Sequence, residues 1–357
     1  MWRRVTLPHI NRIATAVPRH EVHGAFQRFA ARLIDDDRTR SAFGRLALKS
    51  QIDARFSVLE PDPDDYRTTD GFYELEGRFP STGARMARFE ADAPALAEAA
   101  CDALGLEEEG PRITHLVLAT CTGFAAPGLD HWLIRRYGIP GHVERTIVGF
   151  MGCQAAINAL KLARQAVRSD PSARVLVVNL ELCSLHLQPA SDLDQLMCFL
   201  LFADGCSAAL VSAEPEGLRM DGFRAALVPE AREHITWRIG DAGFDMTLSG
   251  LVPLTLARAL PDHAEAILDG AAPADISLWA VHPGGRSVLD AVENGLSLPD
   301  GLLSDSRAVL REHGNMSSAT VMFVLRRMME GAVPGQRGCA IAFGPGLSAE
   351  TMRFTAV

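Results

Sequence analysis

Cys153 is the residue of this 357-residue sequence whose surroundings most clearly suit chemistry. It follows Gly152 and precedes a run rich in alanine and leucine, and residues 146–150 before it are mostly apolar. We read this stretch as strand, tight turn and helix, which places the thiol at a helix N-terminus. Backbone N–H groups and the helix dipole favour negative charge there, and they lower the pKa of a thiol. A buried structural cysteine is the common alternative, and the stretch alone leaves both open.

Two further residues suit the partners that a nucleophilic thiol needs. His282 follows the apolar run 276–281, and Asn315 follows Gly314 at the start of another helix of small residues. An imidazole can stabilise a thiolate, and an asparagine amide can donate hydrogen bonds to a developing oxyanion. Taken singly, His282 reads as an ordinary loop histidine and Asn315 as an N-cap. Together with Cys153 they favour a catalytic interpretation.

The elements around these residues follow the same order twice. Apolar runs at 113–120 and 174–182 flank the first helix, and runs at 276–281 and 338–343 flank the second. The repeat predicts an α/β fold of two similar halves, residues 1–217 and 218–357, with a linker near 212–222. In this alignment Cys153 and Asn315 are equivalent, so both helix N-termini are predicted to face one site. Chance similarity remains an alternative, because β-α alternation is common.

Prolines and polar segments predict breaks in the regular elements. Pro94 is expected to interrupt or kink a helix that starts near residue 86, and Pro261 is expected to break a helix over 251–268. Residues 57–85 are rich in Pro, Asp, Gly and Thr, which predicts a long irregular segment.

Composition narrows the function classes. The formal charge of -9 argues against nucleic acid as the main partner. The seven cysteines include no C-x-x-C pair, so we expect neither a metal site nor a disulfide framework, and a cytoplasmic location fits. Residues 1–9 lack the apolar region of a signal peptide. No apolar stretch reaches membrane-spanning length without charges, so no membrane span is expected.

Several motifs carry a family resemblance over nearly the whole chain. They are Gly152-Cys153 before a small-residue helix, Val-His-Pro-Gly-Gly at 281–285, Gly-Asn-Met-Ser-Ser at 314–318, Phe-Gly-Pro-Gly at 343–346 and Leu-Phe-Ala-Asp-Gly at 201–205. With these motifs the chain resembles the type III polyketide synthases of bacterial type, the chalcone synthase-like branch of the thiolase superfamily. The resemblance implies a thiolase-like fold, with two pseudo-duplicated α/β halves that form a five-layered αβαβα core.

The resemblance also implies a role for each motif residue. Cys153 would take the starter acyl group from coenzyme A and hold the growing chain as a thioester, and His282 would be its ion-pair partner. His282 and Asn315 would bind the thioester oxygen while malonyl-CoA loses carbon dioxide. Phe202 would stand between the coenzyme A tunnel and the cavity, and Met246 falls where the family usually has a second gatekeeper phenylalanine. The methionine predicts a more pliable, aliphatic entrance.

Other positions are implied to line the cavity, several with residues unlike those of the plant enzymes. Trp237 would narrow one wall, and Cys121 resembles a residue of bacterial members that use aliphatic starters. Ala126 stands where plant enzymes reach into the partner subunit's cavity. The remaining positions are Thr122, His186, Cys198, Ser317, Phe343, Gly344, Pro345 and Gly346.

Substrates and partners follow from the same resemblance. Arg45 and Lys49 match two of three basic positions that bind coenzyme A phosphates, and Ala42 occupies the third. Their i, i+4 spacing alone would equally suit a solvated helix face. An acyl-CoA starter and malonyl-CoA are the implied substrates, with no cofactor, and a homodimer is expected.

The implied reaction is iterative decarboxylative condensation of malonyl-CoA onto the starter, followed by cyclisation. Cys121 and Met246 favour a fatty acyl starter and an alkylpyrone or alkylresorcinol product. A ketoacyl-ACP synthase III-like enzyme would make one condensation and would need a carrier protein. A Cys/His/Asn hydrolase and a non-catalytic protein of the same fold are the alternatives from other classes.

Overall fold

The computed structural model describes residues 6–62, 68–73, 79–188 and 193–357. Its strands are β1 His9–Ala16, β2 His20–Glu21, β3 Phe56–Ser57, β4 His115–Thr120, β5 Glu144–Gly149, β6 Val175–Leu182, β7 Asp204–Ser212, β8 Leu218–Leu227, β9 Ile235–Gly240, β10 Gly243–Leu248, β11 Leu278–Val281, β12 Arg337–Gly344 and β13 Ser348–Ala356. Its helices are α1 His23–Leu33, α2 Asp37–Lys49, α3 Thr82–Leu104, α4 Leu106–Glu109, α5 Leu129–Arg136, α6 Ala155–Ser169, α7 Leu193–Leu201, α8 Val252–Ile267, α9 Arg286–Gly295, α10 Ser304–His313 and α11 Thr320–Gly331.

The main sheet consists of two similar groups of strands. The first runs in the order β5-β4-β6-β7-β1, and the second runs β8-β13-β12-β11. In each group the outer strands are parallel to each other: β5, β4 and β6 in the first, and β11 and β12 in the second. The remaining strands, nearer to the point where the groups meet, are antiparallel to their neighbours. The groups are joined where β1 pairs with β8 over two residue pairs, His9 with Arg219 and Ile10 with Leu218. The predicted duplication is therefore visible in the strand order.

Helices α6 and α11 lie between the two groups of strands. Helix α6 packs on β4 and β6 and also on β13, and α11 packs on β1 and on β11. Small buried residues such as Ala156 and Ala159 allow a helix to approach both groups closely. Helix α3 covers the outer face of the first group and α8 the outer face of the second. The result is the predicted five-layered αβαβα fold.

Both predicted helix breaks are wrong. Pro94 lies inside the continuous helix α3, and Pro261 lies inside α8. Both helices bury one face against the sheet, with Leu96 and Leu256 among the buried residues. Tertiary packing therefore outweighs the loss of one backbone hydrogen bond in each helix.

Two other expectations change. The predicted linker near 212–222 is shorter in the structure: residues 213–217 connect β7 to β8, and residues 218–222 are the start of β8, which pairs with β13. The hairpin of β9 and β10 was not predicted. Part of the predicted irregular segment 57–85 lies outside the described residues; the described part holds β3 and the start of α3. Among the described residues no helix is both long and apolar enough to span a membrane.

Candidate active site

The three predicted catalytic residues line one cavity at the ends of the parallel strands. The cavity walls are mostly apolar and come from both halves of the chain. They are formed by Cys121, Thr122, Gly152, Cys153, Cys183, His186, Phe199, Phe202, Ile235, Trp237, Met246, Leu248, Val252, Leu256, His282, Gly284, Val288, Asn315, Ser317, Phe343, Gly344 and Pro345. The cavity is the place where a half-buried thiol, a buried imidazole and a buried amide can act on one ligand.

Cys153 lies in a single 3-10 turn, residues Gly152–Gln154, that connects β5 to α6. The backbone turns sharply here, with positive φ values at Phe150 (54°) and Gly152 (64°). A side chain at Gly152 would collide with Pro345, since its Cβ would lie 2.4 Å from the Pro345 Cδ atom. The Gly-Pro-Gly segment thus packs directly against the turn that presents the thiol.

The sequence prediction of a lowered thiol pKa is wrong for this structure. Burial raises the pKa of Cys153 to about 12, and the nearby carboxylate of Glu181 acts in the same direction. The Ser317 hydroxyl, 3.7 Å from the sulfur, opposes the shift. The cost of an unpaired anion in an apolar cavity outweighs the benefit of the helix N-terminus.

His282 follows β11 and has no hydrogen-bond partner for either ring nitrogen among the described residues. Its backbone N–H donates to Ile341 O at 2.7 Å, which fixes the residue to the neighbouring strand β12. Burial lowers the pKa of the imidazole to about 3. A neutral imidazole with both nitrogens unoccupied can accept a proton from the Cys153 thiol and donate it again.

Asn315 is oriented by its own neighbours. Its Oδ1 atom accepts from the Ser317 N–H at 2.9 Å and from the Thr320 hydroxyl at 3.4 Å. Its Nδ2 group makes one long contact of 3.4 Å, to Gly284 O in the loop after His282. Because the carbonyl side is occupied, the amide presents N–H donors to the cavity.

Cys153 and Asn315 were predicted to occupy equivalent positions, but in the structure their positions relative to the two central helices differ by three residues. Each central helix is preceded by one 3-10 turn, Gly152–Gln154 before α6 and Ser317–Ala319 before α11. Cys153 lies two residues before its helix, whereas Asn315 lies five residues before α11. Ser318 therefore occupies the position that matches Cys153.

Glu181 is a buried acid of the site that sequence reasoning missed. It accepts hydrogen bonds from Cys121 N (2.9 Å), the Thr122 hydroxyl (2.8 Å) and the Ser318 hydroxyl (2.6 Å). Burial raises its pKa to about 7. The available signal was an acidic residue inside the apolar run 174–182.

Aromatic side chains form part of the cavity wall. Trp237 and Met246 are paired residues of the β9–β10 hairpin, and the Trp237 indole donates to Cys121 O at 2.7 Å. His186 accepts from Phe244 N at its Nδ1 atom (3.1 Å), so its Nε2–H donates to Thr122 O (2.7 Å). Burial also lowers the pKa of His186 to about 4, so this histidine is a neutral wall residue.

Four predicted site residues do not line the cavity. Cys198 is buried in α7 and Gly346 lies just beyond the lining residues. Arg45 and Lys49 are exposed on α2. Conversely, Cys183 and Phe199 line the cavity without having been predicted. These two residues and Phe202 also line a second apolar cavity, which reaches Phe26 and Phe29 of α1.

Comparison with known proteins identifies the family. The N-terminal domain of the chalcone and stilbene synthases matches residues 10–215, and the C-terminal domain matches residues 222–357. The chain belongs to the chalcone and stilbene synthase family. It is a type III polyketide synthase, an enzyme that catalyses acyl transfer with Claisen condensation.

Relatives match the synthase over almost its whole length. It is 33% identical to the "Alpha-pyrone synthesis polyketide synthase-like Pks18" of Mycobacterium tuberculosis, covering 98% of this chain and 91% of the relative. The type III polyketide synthase domain of Steely1 from Dictyostelium is 26% identical, with a TM-score of 0.89 and coverage of 98% and 99%. The 1,3,6,8-tetrahydroxynaphthalene synthase of Streptomyces coelicolor is 28% identical, with a TM-score of 0.84 and the same coverage.

Proposed function

We propose that the synthase builds its product on Cys153, with His282 and Asn315 as the groups that move the proton and stabilise the enolate. The observation that carries the proposal is that these three side chains meet in one largely apolar cavity. Enzymes of this family use coenzyme A thioesters, and an acyl-CoA and malonyl-CoA are the proposed substrates.

The first step transfers the starter. The Cys153 sulfur attacks the thioester carbonyl while its proton passes to the neutral His282 imidazole. The acyl–sulfur bond to coenzyme A breaks, and the imidazolium returns the proton to the leaving thiolate. His282 is suited to this exchange because both ring nitrogens are unpartnered among the described residues.

The second step forms the carbon–carbon bond. Malonyl-CoA loses carbon dioxide, and the electron pair of the broken bond becomes an enolate. N–H donors of Asn315 and His282 stabilise its oxygen, which they do best in a cavity without water. The enolate carbon attacks the acyl group on Cys153, and the thiolate leaves. The reaction requires no metal or organic cofactor.

We propose an aliphatic starter and an α-pyrone or alkylresorcinol product. The cavity and its apolar neighbour behind Phe199 and Phe202 suit a hydrocarbon chain, and a relative 33% identical over its length is named for α-pyrone synthesis. Arg45 and Lys49 on exposed α2 are proposed to bind coenzyme A phosphates, although neither residue lines the cavity.

A homodimer through strand β5 completes the proposal. The strand pairs with β4 along one edge only, as far as the described residues show. Ile147 is 47% exposed on it, and Phe124 is exposed to 38% in a neighbouring loop. An open strand edge beside exposed apolar side chains suits pairing with a second copy.

The test is incubation of the purified chain with malonyl-CoA and decanoyl-CoA in the absence of any carrier protein. We expect products that contain several acetate-derived units, identified by mass spectrometry. A single condensation that needs a malonyl carrier protein would support the ketoacyl-ACP synthase III alternative. Free decanoic acid as the only product would support a hydrolase.

A further inference from the structure

Arg55 is a buried cation outside the set of proposed catalytic residues. Its exposed fraction is 3%. Burial lowers its pKa to about 10, which still leaves it charged at neutral pH, and the carboxylates of Glu21 and Asp204 partly oppose the shift. Burying a charge is costly, so its contacts are informative about what it does.

The contacts of Arg55 are directed at the end of one helix. Its Nη1 group donates to Phe199 O at 3.0 Å and to Phe202 O, while Nε donates to His23 Nδ1 at 3.0 Å. Phe199 lies in the last turn of α7, and Phe202 follows its final residue. Carbonyls at a helix C-terminus lack partners within the helix and carry the negative end of the dipole. Arg55 therefore caps α7 just before Phe202.

The same helix end holds Asn315. The Asn315 N–H donates to Leu201 O at 2.8 Å, and Ala203 N–H donates to Asn315 O at 2.9 Å. These bonds make an isolated parallel bridge between Phe202 and Asn315. The backbone of the amide donor is thus attached on both sides of Phe202 to the segment that Arg55 caps.

Gly314 brings Arg55 against the other side of this bridge. A Cβ atom on Gly314 would lie 2.7 Å from Arg55 Cγ and 2.9 Å from Leu201 O, and the residue has a φ of 70°. The methylene stem of Arg55 therefore packs on the residue before Asn315, while its guanidinium holds the carbonyls before and at Phe202.

From this geometry we propose that Arg55 is a positioning residue, which fixes the Asn315 amide and the Phe202 gate through the C-terminal end of α7. The inference rests on the proposed role of Asn315 in malonyl-CoA decarboxylation. Arg55 does not line the cavity that holds the thiol, although it lines the second cavity beyond Phe202. Its loss moves Asn315 relative to the enolate oxygen, whereas transfer of the starter to Cys153 depends on Cys153 and His282.

The experiment measures the two steps separately in the 357-residue chain. Release of carbon dioxide from malonyl-CoA reports decarboxylation, and intact-protein mass spectrometry after rapid mixing with acyl-CoA reports acylation of Cys153. The variants are Arg55→Met, Arg55→Lys and Asn315→Ala. Arg174→Met is the matched control, because Arg174 is also buried but pairs with Glu109 and Glu214, away from α7.

We expect Arg55→Met to lower kcat for decarboxylation by about tenfold or more, with KM for malonyl-CoA and the acylation rate unchanged. Arg55→Lys is expected to recover part of the loss, and Arg174→Met to leave both steps unchanged per folded molecule. If Arg55→Met does not fold, Arg55→Gln replaces it under the same criteria.

Two results would contradict the proposed role of Arg55 and leave the proposed role of Asn315 intact. One is wild-type decarboxylation in folded Arg55→Met while Asn315→Ala is impaired. The other is an equal loss of both steps in proportion to the folded fraction. A wild-type rate in Asn315→Ala would overturn the proposed role of Asn315 and, with it, the inference.

Discussion

Burial decides the protonation of the residues at the centre of the site. In the cavity it raises the pKa of the Cys153 thiol to about 12 and lowers that of His282 to about 3. Each shift reflects the cost of one isolated charge among apolar walls. A neutral thiol and a neutral imidazole follow, and they suit a proton transfer that accompanies attack on the thioester.

The acid Glu181 gives a pH prediction. Its pKa is raised from 4.5 to about 7 in the folded chain, so the folded state binds this proton more tightly than the unfolded state. The resulting stability is present in full below pH 4.5 and is lost as the pH rises to about 7. We expect the free energy of unfolding of the wild type, relative to Glu181→Gln, to fall by roughly 3 kcal/mol over that range.

Urea unfolding from pH 4.5 to 7.5 measures this difference. Glu108→Gln is the control, since Glu108 is exposed on α4. A constant difference between the wild type and Glu181→Gln at all pH values would contradict the raised pKa.

Sequence reasoning named Cys153, His282 and Asn315, because glycine-flanked motifs carry them. The direction in which the pKa of the Cys153 thiol shifts could not be predicted. The sequence indicated that the thiol lies at a helix N-terminus, but it did not indicate how deeply the thiol is buried. Glu181 was missed for a similar reason. Two of its three donors come from the loop after β4 and the third from the turn before α11, and only folding brings them together.

Among the secondary-structure elements, the β9–β10 hairpin controls one wall of the cavity. Met246 and Trp237 are opposite each other on it, and both line the cavity. The hairpin was missed although its strands alternate apolar and polar residues around the Gly-Asp-Ala-Gly turn at 240–243, which is the pattern of a half-buried hairpin. Helices α3 and α8 were predicted to break at a proline. Each continues through it because its buried face packs against the rest of the protein.

The hairpin gives a specificity prediction. Met246→Phe places a stiffer, bulkier side chain at the cavity wall, which disfavours a long acyl chain. We expect the ratio of kcat/KM for decanoyl-CoA to that for acetyl-CoA to fall roughly tenfold. Thr247→Phe is the control, because alternate residues of a strand face opposite sides. An unchanged ratio in Met246→Phe would show that this wall does not contact the chain.

For the whole molecule, the duplication was predictable and the sheet was only partly so. The repeated order of strands and helices predicted two α/β halves meeting at one site. The division at residue 217 stays a prediction. The first residues of β8 were read as part of a linker because residues 214–217 before them are Glu, Pro, Glu and Gly. The place of this strand in the sheet depends on pairing with β13 and β1.

The open edge of β5 gives a prediction about assembly. Ile147→Glu introduces a charge on this exposed strand, and a charge at a paired edge is costly to bury. We expect the wild-type chain to sediment as a dimer and Ile147→Glu to shift toward monomer in analytical ultracentrifugation. Val333→Glu, at an exposed position after α11, is the control. A monomeric wild type, or a dimer unaffected by Ile147→Glu, would contradict dimerisation through β5.

The covalent intermediate tests the central claim most directly. The chain is incubated with decanoyl-CoA alone, quenched in acid and digested, and the acylated peptide is identified by mass spectrometry. We expect one decanoyl group on Cys153, none on Cys153→Ala, and full labelling of Cys183→Ala, which removes another thiol of the same cavity. Acylation at Cys183 or Cys121, or polyketide formation by Cys153→Ala, would contradict the assignment of Cys153 as the nucleophile.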